Sequence, residues 1–114
     1  LRKVVMAKFV IKMSGDQFHF VLKAGNGEII GQSETYKAKA SALNGIESVR
    51  KNCQREGAFE MKVAKNGKFH FCLKAKNGEP VLQSQLYKSE DGANNGIASI
   101  AKNAPEAEIV DETA

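Results

Sequence analysis

The chain has 114 residues, of which 42% are hydrophobic and 26% charged, with two cysteines and a formal charge of +4. That is the size of one compact domain burying roughly two thirds of its unfolded surface, and the short apolar runs fall far below the roughly 20 residues that cross a bilayer. With no signal segment read at its start, the protein is expected to be soluble and cytoplasmic, and two cysteines alone make neither a disulfide framework nor a metal-ligand spacing.

Met6 is the expected natural start, with residues 1–5 an upstream extension and 6–114 a single domain. Phe9, Ile11 and Met13 alternate with Val10 and Lys12, and after Ser14-Gly15-Asp16-Gln17 the residues Phe18, Phe20 and Leu22 alternate with His19, Val21 and Lys23. Alternation with period two predicts two half-buried strands joined by a hairpin. Asn26-Gly27 then predicts a type I′ turn into a third strand from about Glu28 to Glu34, whose inward face the pattern does not fix. After Tyr36 the period changes, and Ala42, Ile46, Val49 and Cys53 form the single apolar stripe of an amphipathic helix. Gly45 inside that helix is unfavourable by about 1 kcal/mol relative to alanine, which a close approach between helix and sheet explains. Another alternating segment, Ala58 to Val63, follows.

The same series then returns 51 positions on. Gln17 to Glu28 (QFHFVLKAGNGE) reappears as Lys68 to Glu79 (KFHFCLKAKNGE), and Ser33, Tyr36, Asn44, Gly45 and Asn52 as Ser84, Tyr87, Asn95, Gly96 and Asn103. Two duplicated units complete each other's core, so repeat one is placed at about 6–57 and repeat two at about 58–114. Pro80 belongs at a strand start or edge. Ser89, followed by Glu90 and Asp91, predicts a cleaner start for the second helix than Ala38 gives the first. The last segment, Glu106 to Thr113, is expected to pair on the opposite repeat, the nearest unfilled edge.

The Phe-His-Phe, Leu-Lys-Ala, Asn-Gly-Glu, Tyr-Lys and Asn-Gly-Ile-x-Ser series, ordered alike in both halves from Met6 onward, resembles the YegP-like family of small, mostly bacterial proteins. The resemblance implies an α+β fold: tandem β-β-β-α-β repeats forming one antiparallel sheet, two helices packed on one face, and C-terminal strands exchanged between repeats. It carries over no catalytic residue. The chain departs from the family pattern at Ala38, Val21 and Cys72.

No residue set calls for a cofactor, metal or catalytic role. His19 and His70 are equivalent and outward, and a pseudo-twofold can bring them together, yet a closed zinc site wants four ligands. Cys53 and Cys72 stand opposite Ala104 and Val21 in the other copy and read as small buried residues. Ser33 and Ser84 have no acid or base of consistent type in both copies. Gln32, Gln83, Tyr36, Tyr87, Asn44 and Asn95 are retained twice, with asparagine and tyrosine expected to tie helix start to strand end. Lys12, His19, Lys23, Lys62, His70 and Lys74 should decorate the helix-free face as a candidate binding surface. Glu106, Glu108, Asp111 and Glu112 gather acid at the end, so the remainder carries 17 basic against 9 acidic residues. The leading reading is a monomeric, non-enzymatic binding or interaction module using the open face or an edge, with a protein or polyanion as partner and no membrane. The alternative is weak nucleic-acid binding through the basic face, although inward phenylalanines leave it without a stacking platform.

Overall fold

The computed structural model of the chain describes residues 7–113, so the expected start at Met6 and the extension at 1–5 lie outside the described residues. Strands and helices follow in the order β1 (Lys8–Ser14), β2 (Gln17–Lys23), β3 (Ile29–Gln32), α1 (Lys39–Asn52), β4 (Phe59–Val63), β5 (Phe69–Lys74), β6 (Pro80–Gln83), α2 (Glu90–Asn103), a 3-10 turn (Ala104–Glu106) and β7 (Glu108–Asp111). The strands make one sheet in the order β4-β5-β6-β3-β2-β1-β7. Neighbours run antiparallel except β1 and β7, which are parallel, so the sheet is mixed rather than wholly antiparallel. Strands joined by tight turns must be antiparallel, whereas β7 arrives by way of a helix and is free to run either way. Of the strands that follow helices, β7 pairs with β1 of repeat one, and β4, which follows α1 and opens the span placed in repeat two, pairs with β5.

The helices cover one face. Phe9, Ile11, Phe20, Leu22, Phe71, Leu73 and Leu82 from the sheet meet Ala42, Ile46, Val49, Ala93 and Ile100 from the helices in a single cluster, with Phe18, Phe59 and Phe69 half-buried against it. Each repeat stacks its tyrosine on its central phenylalanine: Tyr36 on Phe20 with centroids 6.4 Å apart, Tyr87 on Phe71 at 6.0 Å. These rings account for the helix glycines. A Cβ on Gly45 would lie 2.7 Å from the Tyr36 hydroxyl, and one on Gly96 would lie 2.5 Å from that of Tyr87.

The repeats are not interchangeable at the seam. Gly31 and Leu82 are equivalent, and a Cβ at Gly31 would lie 2.7 Å from Leu82 Cδ2. Space for one leucine exists between β3 and β6, and repeat two supplies it. Bulges between Leu22 and Lys23, and between Leu73 and Lys74, bring Ile30 and Val81 towards the core. That local irregularity is why alternation left the inward face of the third strand open.

The Asn-Gly turns differ from the type I′ expectation. Type I′ needs a positive φ at both central residues, but Gly27 is positive (φ 88°) and Asn26 is not. Gly27 N–H donates to Ala24 O, and Asn26 Oδ1 accepts from Glu28 N–H. This Asx-stabilised three-residue loop recurs at Lys65-Asn66-Gly67 and Lys76-Asn77-Gly78. The β1–β2 turn has two residues, which absorbs the one-residue difference between copies. At the helix starts Ser89 Oγ accepts from Gly92 N–H at 3.0 Å, while Ala38 offers no side-chain cap. Pro80 opens β6, as its missing N–H requires.

Candidate functional site

Ser33 Oγ accepts from Phe20 N–H at 2.9 Å and donates to Glu34 O at 2.7 Å, and Ser84 repeats this with Phe71 and Gln85. Both hydroxyls therefore close the end of a ladder and are already committed. Asn52 and Asn103 donate to the carbonyls of Ser48 and Ser99 one turn back. Tyr36 ties the chain to β2 through its backbone, exchanging two hydrogen bonds with Phe18 at 2.7 and 2.6 Å. Burial, and then Glu34, raises its phenol pKa; burial likewise raises that of Tyr87. Asn44 and Asn95 correct the expectation that asparagine ties helix to strand, because both are exposed and neither side chain is hydrogen-bonded among the described residues. On a 3.6-residue period they fall beside the apolar stripe, not on it.

The helix-free face carries Lys12, His19, Lys23, Lys62, His70 and Lys74 together. Lys12 pairs with His19 and Lys62 with His70 across neighbouring strands. The two histidines do not meet. β2 and β5 are separated by β3 and β6, which at about 4.8 Å per strand puts them about 14 Å apart before any offset along the strands. The basic character is uneven as well, because Glu60 pairs with Lys74 at 2.5 Å and Lys62 at 3.5 Å. Its hydrogen bond to Lys74 holds the Glu60 carboxyl below the usual range. The phenylalanines point to the helices, so stacking surfaces are missing beside the lysines.

One transverse row crosses this face: Glu60, Cys72, Gln83, Gln32, Val21, Val10 and Val110, one residue per strand. Its centre is the pairing of Gln32 with Gln83, where the repeats join. Val10, Val21 and Cys72 are buried although they lie outside the main core cluster. Hollows indent the surface among the described residues. One, of about 270 Å³, is lined by Lys8, Val10, Lys23, Val110 and Glu112 at the β7 side of this face. Another, of about 410 Å³, is lined by Lys51, Asn52, Arg55 and Lys76. Neither of these includes a tyrosine, serine or histidine. Cys53 is buried, which raises its thiol pKa, and both cysteines are free.

The sequence points to an edge as a candidate without saying which; the sheet order identifies the two edges. β4 and β7 are the end strands. Ala58 and Ala64 direct backbone groups to β5, accepting from Lys74 N–H and donating to Lys68 O. By antiparallel alternation the N–H and C=O groups of Phe59, Met61 and Val63 point outward, away from β5, and no described strand lies beyond them. The equivalent groups of β1 are covered by β7, with Glu112 N–H donating to Ile11 O at 2.9 Å. Burial records the difference: Phe9 and Ile11 are fully buried, whereas Phe59 and Met61 are half-buried and Val63 is 65% exposed. The sequence held one sign of this, since Lys39 and Arg50, which hold β7, are matched by Glu90 and Ala101.

The sequence matches the family described as Domain of unknown function (DUF1508) twice, over residues 14–60 and 64–111. A UPF0339 protein of Pseudomonas aeruginosa is 62% identical over 108 residues, covering 94% of this chain and 98% of the relative. The UPF0339 protein YegP of Escherichia coli O157:H7 is 49% identical over 102 residues, covering 90% and 93%. The solution NMR structure of yegP from E. coli, titled a protein of unknown function, superposes with a TM-score of 0.91 at 44% identity, covering 99% of this chain and 98% of that one. That of a UPF0339 protein from Shewanella oneidensis gives 0.89 at 44% identity over 94% and 92%.

Proposed function

The chain belongs to the YegP-like DUF1508 family in its two-copy form, and from that premise we propose that it is a non-enzymatic interaction module that takes an extended protein segment onto the free edge of β4. One observation carries the reading: among the described residues the outward backbone groups of Phe59, Met61 and Val63 have no strand beside them, while the equivalent groups of β1 are paired by β7. Main-chain hydrogen bonds at an open edge give affinity, and alternate side chains give selectivity. Monomeric proteins normally blunt such edges. β7 carries Glu108 and Asp111 and is followed by Glu112, whereas on β4 the charged residues, Glu60 and Lys62, lie on the helix-free side and the helix-side row of Phe59, Met61 and Val63 carries none.

The side chains of Ser33 and Ser84, each already hydrogen-bonded to backbone at a ladder end, support a binding role over a catalytic one. The cytoplasm is the setting we assign, supported by two unpaired cysteines and by the fact that no helix among the described residues is long and apolar enough to cross a membrane.

The test is an NMR titration of ¹⁵N-labelled protein with fractionated cell extract. Shifts concentrated on the amides of Phe59, Met61 and Val63, lost in Val63→Pro, support the reading. Shifts centred instead on Lys12, His19 and Lys23 that vanish as salt rises would move the site to the basic face and a polyanion.

A further inference from the structure

The pairing of β7 on β1 shows what kind of segment each repeat seats beside its first strand. Lys8, Phe9, Val10 and Ile11 face Glu108, Ile109, Val110 and Asp111 in parallel register. Side chains on helix α1 fix that seat: Lys39 Nζ donates to Asp111 Oδ2 at 2.7 Å, and Arg50 donates to the Ala107 carbonyl while lying 5.6 Å over the Phe9 ring.

In repeat two no described strand lies on the corresponding surface, and its chemistry is changed. Phe59 and Met61 take the places of Phe9 and Ile11, since both pairs face the same Leu and Phe positions on the next strand. Lys39, the first residue of α1, becomes Glu90, the first residue of α2. Arg50 becomes Ala101, which leaves Phe59 without a guanidinium lid and only half-buried. Glu90 has no salt-bridge partner among the described residues, whereas Lys39 has Asp111. The strand after α1 cannot fill the gap, because that strand is β4 itself.

Resting on the edge reading above, we propose that β4 receives a segment of another protein in parallel, with an apolar side chain opposite Phe59 and a lysine or arginine opposite Met61 that pairs with Glu90. The apolar residue takes the position opposite Phe59 that Ile109 takes opposite Phe9 in repeat one. The cation replaces Asp111 with its sign reversed, and this reversal keeps the chain's own acidic β7 from competing for the β4 edge. A second copy is the rival occupant. In an antiparallel β4–β4 pair centred on Met61, Phe59 faces Val63 and Glu60 faces Lys62. That arrangement leaves Glu90 unpaired and draws on a Glu60 already bonded to Lys74.

Two capped peptides test the proposal on the full ¹⁵N-labelled chain: Ala-Glu-Ile-Val-Asp-Glu, which copies residues 107–112, and the same peptide with lysine in place of aspartate. The lysine peptide should shift the amides of Phe59, Met61 and Val63 and bind about fivefold more tightly than the aspartate peptide, the ratio expected when one exposed pair changes from like to unlike charge. Glu90→Lys should invert the order, and Val63→Pro should abolish both. A spin label on the peptide N-terminus should broaden Phe59 before Val63. Equal affinity for the two peptides at β4, or an order unchanged by Glu90→Lys, overturns the charge assignment while leaving the edge reading standing. Broadening of Val63 first overturns the parallel direction. Absence of any β4 shift with either peptide refutes the edge reading itself. Concentration-dependent dimerisation in sedimentation, abolished by Lys62→Glu, would give the edge to a second copy instead.

Discussion

Replacing Gly96 by alanine sets two effects of opposite sign against each other. In a solvent-facing helix the change gains about 1 kcal/mol, because glycine gives up more backbone freedom on folding than alanine. Here the added Cβ would lie 2.5 Å from the Tyr87 hydroxyl, 3.0 Å from its Cζ and 3.1 Å from Phe71 Cε2. The ring has little room to retreat. It stacks on Phe71 at an interplanar angle of 12°, and its backbone exchanges hydrogen bonds of 2.8 and 2.7 Å with Phe69. Overpacking of this kind opposes folding by about 1–3 kcal/mol, so Gly96→Ala should lower stability by about 1 kcal/mol net. Tyr87→Phe deletes the closest atom and should reduce the loss, giving a coupling of about 1 kcal/mol in a double-mutant cycle. Urea unfolding with unchanged m-values is the measurement. A gain of about 1 kcal/mol in Gly96→Ala, or the same change in both tyrosine backgrounds, would refute the argument that the ring dictates the glycine.

The helix starts and β7 give further expected outcomes. Ser89→Ala should lower stability by about 1 kcal/mol, and Ala38→Ser should raise it by up to about the same amount, both read from urea midpoints. Ala38 already has the extended backbone of a cap (φ −127°, ψ 145°), close to that of Ser89 (φ −134°, ψ 157°), so the hydroxyl alone is missing. The hydrogen bonds from Lys39 and then Thr113 lower the Asp111 pKa from 3.8 to about 2. A depressed carboxyl stabilises above its unfolded value and loses that contribution as pH falls through its folded one. Protection of the β7 amides against hydrogen exchange should therefore stay level down to about pH 4 and fall towards pH 2, with a smaller fall in Lys39→Ala; an equal fall in both would remove Lys39 from the account.

The vacant β4 edge also bears on what a tandem duplication achieves. Each repeat leaves the outer edge of its first strand bare, and a strand following a helix can cover the edge of the other repeat. With two copies on one chain, β7 closes β1, while the strand following α1 is consumed as β4. The edge of β1 is covered by β7, while no described strand covers that of β4, although the two halves share the same ordered series.

The two alternating strands, the apolar stripe from Ala42 to Cys53 and the serine cap at Ser89 were legible because each is written within a few consecutive residues, where period and turn chemistry act directly. The duplication extended that legibility to the pairing of halves, and it flagged Gly45 and Gly96 as needing a close neighbour without naming the tyrosine ring. Contacts between distant segments were decided elsewhere. Asn26-Gly27 looked like a type I′ turn until the Asn26 side chain and the bulge after Leu22 set the loop. His19 and His70 looked able to meet until β3 and β6 came between them. The parallel seat of β7, the single leucine shared across Gly31 and Leu82, and the bare edge of β4 depend on which strands become neighbours. That choice is made by the joint burial of the whole sheet beneath two helices, a quantity that no local window of the chain contains.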